Sequence, residues 1–146
     1  QELPPIFHES ALLDRFHGFI KGWDIPRMKE NMKAQGWALN VEYFSEIMHL
    51  LRDDIIYRAV VDEILEVPKG ADTRDTEAIK RICTGFMKLL FPHVRDIDDI
   101  DATEFVEFCL NPAKSMRAVI KKQLGIIDRE FSGKDIPDIT CKLLNQ

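Results

Sequence analysis

Apolar residues recur at helical spacing along most of this 146-residue chain. The clearest stripe predicts a helix over residues 41–53, with Asn40 as its N-cap because asparagine can accept a hydrogen bond from the first turn. The members of this stripe fall at i, i+3, i+6, i+7 and i+10, and they are Val41, Phe44, Ile47, Met48 and Leu51. Similar spacing predicts helices over residues 54–67, 74–91, 101–110 and 113–127. The chain is therefore predicted to be mainly α-helical.

Each of these helices has an apolar face that we expect to be buried in a helical bundle. In chain order the faces are Ile56, Val60, Val61 and Ile64; then Ile79, Ile82, Cys83, Phe86 and Leu90; then Phe105, Val106, Phe108 and Cys109; then Met116, Val119, Ile120, Leu124 and Ile127. Asn111-Pro112 is expected to start the last helix anew, since proline fits the first turn of a helix.

The N-terminal part of the chain has a different pattern. A short helix is predicted over residues 9–16, in which Ala11, Leu12, Leu13 and Phe16 can be buried while Asp14 and Arg15 project outward. Residues 18–23 combine apolar side chains with bracketing glycines, which favours one short buried strand. A further helix is predicted from Pro26 to residue 35.

Arg15 is the first candidate functional residue. Its guanidinium stays charged and can bind two phosphate oxygens at once, so an arginine held at the end of a packed helix suits a charge on another molecule. The sequence Leu12-Leu13-Asp14-Arg15-Phe16 resembles the segment of AAA+ ATPases that carries the arginine finger. By that resemblance Arg15 is a catalytic residue that reaches the nucleotide of a neighbouring subunit. The alternative is a surface arginine on an ordinary turn.

A longer run makes the resemblance more particular. Residues 14–28, Asp-Arg-Phe-His-Gly-Phe-Ile-Lys-Gly-Trp-Asp-Ile-Pro-Arg-Met, resemble the ATP-dependent Lon-type proteins of the BrxL family, which belong to the BREX phage-defence systems. Those proteins have an AAA+ core related to the MCM helicases. The resemblance implies that this chain is the C-terminal lid portion of such an ATPase.

Arg74 is the second candidate, at the predicted start of the helix over residues 74–91. Asp72 and Thr73 can cap this helix, and the helix dipole favours an anion near Arg74. The run Thr73-Arg-Asp-Thr-Glu-Ala-Ile-Lys-Arg81 resembles the sensor-two helix of MCM-type ATPases. The resemblance implies that Arg74 binds the γ-phosphate, with Arg81 as the substitute if the register differs. The alternative is a solvated arginine.

A basic stripe on the last predicted helix is the third candidate. It consists of Lys114, Arg117 and Lys121 at i, i+3 and i+7, joined by Lys122. Such a stripe can bind DNA phosphate or an acidic protein surface, but more often it is simply the solvated side of a helix. The net charge of −5 does not indicate a general nucleic-acid binder, so DNA contact would need a local patch.

Composition narrows the remaining classes. No apolar run approaches the ~20 residues that a spanning helix needs, and no membrane partner is expected. Cys83, Cys109 and Cys141 are odd in number and scattered, which favours reduced thiols of a cytoplasmic protein. The aspartates within residues 96–101 invite a calcium interpretation, but the loop lacks the glycine and terminal glutamate of an EF-hand. We therefore predict a solvated loop and no metal site.

The chain has no Gly-x-x-x-x-Gly-Lys-Ser/Thr phosphate loop, and Gly133-Lys134 is an isolated dipeptide. If the resemblance holds, the phosphate-binding half lies upstream, and the chain alone should bind neither ATP nor Mg²⁺, which belong to the full-length protein. The expected domains are the end of the AAA+ core over residues 1–27, a helical lid over 28–128 and a linker over 129–146.

The resemblance implies a homo-oligomer, expected to be a hexameric ring. Its ATP hydrolysis would drive remodelling of double-stranded DNA or protein in phage defence. The alternative from another class is a non-catalytic helical protein-interaction module, which requires neither Arg15 nor Arg74. A phosphate loop upstream in the same polypeptide would distinguish the two hypotheses.

Overall fold

Helices form most of the fold in the computed structural model, which describes residues 4–145 apart from the side chain of Asn145. The α-helices are α1 (Ser10–Leu13), α2 (Val41–Arg52), α3 (Ile56–Ile64), α4 (Thr73–Leu90), α5 (Ala102–Phe105) and α6 (Asn111–Ile127). Two short strands, β1 (Leu65–Glu66) and β2 (Thr140–Cys141), pair antiparallel with Leu65 opposite Cys141. The prediction of a mainly α-helical fold is confirmed.

The described chain forms two compact units. Residues 4–19 together with residues 55–145 make the larger unit, and Ile20–Asp54 make the smaller one. These units do not coincide with residues 1–27, 28–128 and 129–146, whose assignment to a core, a lid and a linker stays a prediction.

The core of the larger unit lies around α4. This helix packs against α3, against α6 and against the segment Val106–Leu110. Burying a large apolar side chain contributes roughly 1.5–3 kcal/mol, so these contacts dominate the stability of the unit. The predicted core residues that are buried are Val60, Val61, Ile64, Ile79, Cys83, Phe105, Cys109, Ile120 and Leu124. Ile56, Leu90, Phe108 and Ile127 were predicted to be buried and are exposed. Ile56, Leu90 and Ile127 are terminal residues of α3, α4 and α6, and helical spacing does not show where the contact of a helix ends.

A break between two helices was predicted at Asn111-Pro112, and the structure has no break there. Val106–Leu110 form a π-helical turn in which the N–H of Asn111 donates to the carbonyl of Val106, and α6 continues directly from it. Proline lacks an N–H and normally disturbs the interior of a helix. The wider π turn accommodates Pro112, so the backbone stays helical from α5 through α6.

The last residues of the described chain also pack on this unit. Ile139 and Cys141 are buried, and the ammonium group of Lys142 donates to the carbonyl oxygen of Glu63 at 2.6 Å. This segment, expected from the sequence to be a linker, thus places two apolar side chains against the helices. All three cysteines are buried free thiols, as far as the described residues show.

The strand predicted over residues 18–23 does not form. Gly22–Asp24 make a 3₁₀ turn, and the N–H of Phe19 donates to the carbonyl of Met116 in α6 at 3.3 Å. A strand needs a neighbouring strand for its backbone groups, and β1 and β2 pair only with each other in the sheet that the structure describes.

The helix predicted from Pro26 to residue 35 is also absent. All residues from 21 to 40 are exposed. Within the predicted helix, the one helical segment is a 3₁₀ turn at Glu30–Met32. A short helix without a buried face is marginal in water, which explains the error.

The smaller unit contains α2, whose N-cap was predicted correctly. The side chain of Asn40 accepts a hydrogen bond from the N–H of Tyr43 at 3.0 Å. The apolar stripe of α2 has the predicted helical spacing, but no residue of this helix is buried, and Val41 is 78% exposed. The pattern therefore predicted the helix correctly and its burial only in part, since Ile47, Met48 and Leu51 are half-buried while Val41 and Phe44 are exposed.

Ion pairs join α3 to α4 at the surface of the larger unit. The guanidinium of Arg58 donates two hydrogen bonds to Glu77, at 2.9 and 2.8 Å, and a third to Asp62 at 2.8 Å. Lys80 also binds Asp62, and Arg81 also binds Glu77, both at 2.7 Å. These contacts, chiefly the hydrogen bonds from Arg58, lower the pKa of Glu77 to about 2, against the opposing effect of burial.

We expect the stabilisation from Glu77 to depend on pH. Because the folded pKa lies below the ordinary value of 4.5, the contribution is complete above that value and is lost as the pH falls toward 2. Glu77→Gln should lower the free energy of unfolding by about 1 kcal/mol at neutral pH, and the difference from wild type should shrink below pH 4.5. Urea denaturation across this range measures it, with the exposed Glu107→Gln as control. A difference that persists unchanged at low pH would contradict the assignment.

Candidate functional site

Asp14 lies at the C-terminal end of α1 and is almost completely buried, with 4% of its surface exposed. One carboxylate oxygen accepts a hydrogen bond from Arg74 at 2.5 Å, and the other accepts one from Arg117 at 2.6 Å. The prediction that Asp14 projects outward is therefore wrong, and so is the expected burial of Ala11 and Phe16, which are exposed. Its charge is tolerated inside the protein because two guanidinium groups compensate it.

Arg117, on α6, is fully buried and uses all three of its guanidinium nitrogens. Its Nε donates to Asp75 at 2.7 Å, and its Nη2 donates to the carboxylate of Asp14. Its Nη1 donates to two backbone carbonyl oxygens, that of Asp14 at 3.1 Å and that of Phe16 at 2.6 Å. Arg117 thus binds the chain on both sides of Arg15.

Asp75 and Lys121 complete this arrangement. Asp75 is fully buried on α4, and its second carboxylate oxygen accepts a hydrogen bond from Lys121 at 2.5 Å. We call the five residues Asp14, Arg74, Asp75, Arg117 and Lys121 the ionic cluster. Every buried side-chain nitrogen and oxygen in the described part of the chain has a hydrogen-bond partner, so the cluster is fully satisfied.

The basic stripe predicted on α6 is not a surface feature. Arg117 and Lys121 are buried in the ionic cluster, and Lys114 is half-buried and binds Asp138 at 2.9 Å. Of the four residues predicted to contact DNA or solvent, Lys122 is the one that stays exposed. The prediction of an exposed stripe is wrong, because carboxylates far away in sequence pair with these cations.

Arg15 itself is exposed, as predicted. Its N–H donates to the carbonyl of Leu12 at 3.0 Å, which continues the turn of α1. Its guanidinium makes no hydrogen bond or ion pair with any residue that the structure describes. The backbone around Arg15 is therefore fixed by Arg117, while its side chain is available to another molecule.

Arg74 occupies the first turn of α4, as predicted. Asp72 caps the helix by accepting hydrogen bonds from the N–H groups of Arg74 at 2.9 Å and Asp75 at 3.1 Å. The Arg74 side chain is 55% exposed, and among the described residues its one side-chain partner is Asp14, which binds Nη1. Its remaining nitrogens are available on the solvent side.

A cleft of about 320 Å³ opens beside Arg74. Its polar lining includes the donors Thr73, Lys121 and Lys134 and the acidic side chains of Asp72 and Glu130. Arg81, the alternative sensor residue, binds Glu77 and is not part of the ionic cluster. The structure thus connects Arg15 with Arg74 through Asp14 and leaves Arg81 in the surface network between α3 and α4.

The electrostatics of Asp14 follow from these contacts. Burial by itself would raise the pKa of its carboxyl group, but the hydrogen bonds and charges of Arg74 and Arg117 outweigh burial and hold the pKa below its ordinary value. The carboxylate therefore stays ionised at neutral pH.

A glycine brings the Arg15 segment close to α6. A Cβ atom at Gly18 would lie 2.8 Å from the Cβ of Met116, a distance that real side chains do not tolerate without movement. The backbone at residue 18 can approach the helix this closely because the residue has no side chain. The neighbouring hydrogen bond from Phe19 to Met116 fixes the same contact.

Sequence reasoning missed Asp75 and the role of Arg117. Asp75 falls on the same helical face as Ile79 and Cys83, which are buried. Arg117 falls on the same face as Ala113 and Leu124, which are also buried. The available signal was a charged residue at the helical spacing of an apolar stripe. Two such residues of opposite charge, on different helices, suggest a buried ion pair.

Other candidate chemistry is limited. Within residues 4–145 no group of three or more His, Cys, Asp or Glu side chains is arranged to hold a metal ion. Among the helices described, none has both the length and the apolar character needed to cross a membrane. Burial raises the pKa of Cys109 to about 12, so this thiol is unreactive at neutral pH.

We expect Asp75→Asn to destabilise the chain strongly. The substitution leaves Arg117 and Lys121 buried without their shared carboxylate, and breaking a buried ion pair in this way costs about 3–5 kcal/mol. Urea denaturation measures the loss. The control is Lys122→Met, at an exposed position of α6 beside Lys121, and it should change the free energy of unfolding by less than about 0.5 kcal/mol. A loss below about 1 kcal/mol for Asp75→Asn would show that the cluster contributes little.

Comparison with known proteins places this geometry in a family. Residues 1–136 match the family described as "Lon-like protease BrxL-like, ATPase domain". The "Lon-like protease BrxL" of Escherichia coli O9:H4 (strain HS) is 31% identical over 142 residues, which are 97% of this chain and 19% of that protein. The protein of the same name from Bacillus cereus (strain H3081.97) is 25% identical over 119 residues, which are 82% of this chain and 17% of that protein. The chain therefore spans about a fifth of the length of these relatives. The chain belongs to the family of Lon-like, BrxL-like ATPase domains.

Proposed function

We propose that this chain supplies two arginines to ATP hydrolysis in a BrxL-like ATPase. Arg15 acts as an arginine finger on the nucleotide of a neighbouring subunit, and Arg74 acts as the sensor-two arginine. The observation that carries the proposal is that the Arg15 guanidinium is exposed and unengaged by the described residues, while Arg117 holds the backbone on both sides of it.

An arginine finger needs a free guanidinium on a backbone segment of fixed position. A side chain already bound within its own subunit would have to break that contact first, and a mobile backbone would lose the benefit of pre-positioning. Arg15 meets both conditions in this structure. Fingers of this type accelerate phosphoryl transfer by about 10³–10⁵ where they have been measured.

Arg74 fits a phosphate at the start of α4. Its Nη1 is held by Asp14, and its other nitrogens can bind phosphate oxygens in the geometry that guanidinium groups favour. The N-terminal end of the 18-residue helix α4 adds a favourable dipole. ATP with Mg²⁺ would supply the γ-phosphoryl group, and a phosphate loop outside this chain would hold it.

The remaining parts of the proposal rest on the family. A finger that acts on a neighbouring nucleotide requires a homo-oligomer, and we propose a hexameric ring. We also propose that hydrolysis drives remodelling of DNA or protein in cytoplasmic phage defence. The basic stripe of α6 does not support DNA binding by this chain, since Arg117 and Lys121 are buried.

A second candidate function is a non-catalytic helical interaction module. The exposed apolar side chains of the smaller unit favour it, because α2 has no buried residue and Trp37 is fully exposed. A protein partner could cover such side chains. The ATPase proposal accounts for Arg15 and Arg74, which the module leaves without a role.

We expect Arg15→Ala in the full-length polypeptide to lower kcat for ATP by about 10² or more and to leave the assembly intact. Steady-state ATPase assays measure the rate, and light scattering measures the mass. The matched control is Arg27→Ala, an exposed arginine that should retain activity within about twofold.

Mixing supplies the second arm of this test. Arg15→Ala subunits combined with subunits carrying a defective phosphate loop should regain part of the activity, because each defect then lies in a different subunit. Unchanged hydrolysis by Arg15→Ala would overturn the proposal and favour the interaction module.

A further inference from the structure

We propose that Asp14 and Arg117 are positioning residues that couple the sensor Arg74 to the finger Arg15. This inference rests on the proposed function, since it concerns how this chain holds the two arginines. In this arrangement a nucleotide at Arg74 influences the finger that the same subunit presents to its neighbour.

The first step concerns the backbone that carries Arg15. Arg117 Nη1 donates to the carbonyl oxygens of Asp14 and Phe16, the residues immediately before and after Arg15. Arg117 is fully buried and is itself held by Asp75, so it cannot move independently of the core. The backbone at Arg15 therefore follows the position of Arg117.

The second step is the connection to Arg74. Asp14 divides its carboxylate between the two arginines, with one oxygen on Arg74 and the other on Arg117. A phosphate that draws Arg74 away would remove one of the two cations that stabilise the buried Asp14. The residue next to the finger thus responds to the state of the sensor.

The third step is the parallel path through α4. Arg74 and Asp75 are successive residues in the first turn of this helix, and they reach Asp14 and Arg117 respectively. Two ion pairs from one helical turn therefore converge on the segment around Arg15. A shift of this turn upon nucleotide binding would carry the finger with it.

A purely structural role for the ionic cluster makes a different prediction. If Arg117 only stabilised the fold, its substitution would slow hydrolysis equally whether or not Arg15 is present. If Arg117 acts through Arg15, its substitution should have no further effect once Arg15 is removed, because residues that act as a unit are not additive.

The test is a double-mutant cycle on the ATPase activity of the full-length polypeptide. Arg117→Lys keeps the charge but has one nitrogen in place of three, so it cannot bind Asp75, Asp14 and the backbone together. We expect it to lower kcat at least tenfold with KM within about twofold, and to change kcat of the Arg15→Ala variant by less than about twofold.

Two further variants distinguish a loss of positioning from the general effect of breaking an ion pair. Arg58→Met breaks the ion-pair network between α3 and α4 and should leave kcat within about twofold of wild type. Asp14→Asn keeps the side-chain size and removes the charge that holds both Arg117 and Arg74. It should lower kcat of the wild type at least tenfold and lower kcat of the Arg15→Ala variant by a smaller factor. Circular dichroism and light scattering check folding and assembly, and Asp14→Asn carries the test if Arg117→Lys fails to fold.

The outcomes separate the inference from the proposed function. If Arg15→Ala loses activity while Arg117→Lys and Asp14→Asn retain it, the finger stands and the coupling is wrong. If Arg117→Lys slows the wild type and the Arg15→Ala variant equally, its role is structural and the coupling is again wrong. If Arg15→Ala retains full activity, the proposed function fails first.

Discussion

The buried guanidinium of Arg117 is the interaction on which the functional part of this structure depends. It joins three segments that are distant in sequence, since it binds Asp75 on α4 and both the side chain and backbone of Asp14 after α1. The N-terminal segment also contacts α6 through the hydrogen bond from Phe19 to Met116 and the close approach of Gly18, while α1 is four residues long and contains no fully buried apolar side chain. The arrangement around Arg15 thus depends on these hydrogen bonds and charges without a deeply buried apolar anchor in α1.

A core that contains such a cluster includes charges that have been removed from water at a cost in free energy. Removing several charges from water costs free energy that their mutual attraction only partly recovers, and apolar residues of similar size often stabilise as well or better. What apolar contacts do not provide is direction, because hydrogen bonds to carboxylates and carbonyls fix both the orientation and the position of the groups they join. In the function proposed above, this chain presents Arg15 and orients Arg74, and Asp14, which contacts Arg74 and precedes Arg15, would supply that directionality to both.

Local signals in the sequence predicted the elements well and the site only in part. The capping of α4 by Asp72 and of α2 by Asn40 could be predicted because the side chain and its partners lie within three residues of each other. The pairing of Asp14 with Arg117 could not, since the two residues are 103 positions apart and helical spacing alone does not identify which stripe meets which. Lys114, Arg117 and Lys121 were interpreted as a solvated stripe for that reason. The strand over residues 18–23 failed similarly, because apolar residues between glycines indicate an extended segment but not whether it has a strand to pair with.

If Arg117 fixes the segment around Arg15, hydrogen exchange of that segment should depend on Arg117. In the full-length polypeptide, peptides covering residues 10–16 would be followed by mass spectrometry in the wild type, in Arg117→Met and in Arg58→Met. We expect Arg117→Met to accelerate exchange in residues 10–16 by a larger factor than in α3 and α4, and Arg58→Met to leave exchange in residues 10–16 unchanged. Unchanged protection of residues 10–16 in Arg117→Met would contradict this role of Arg117.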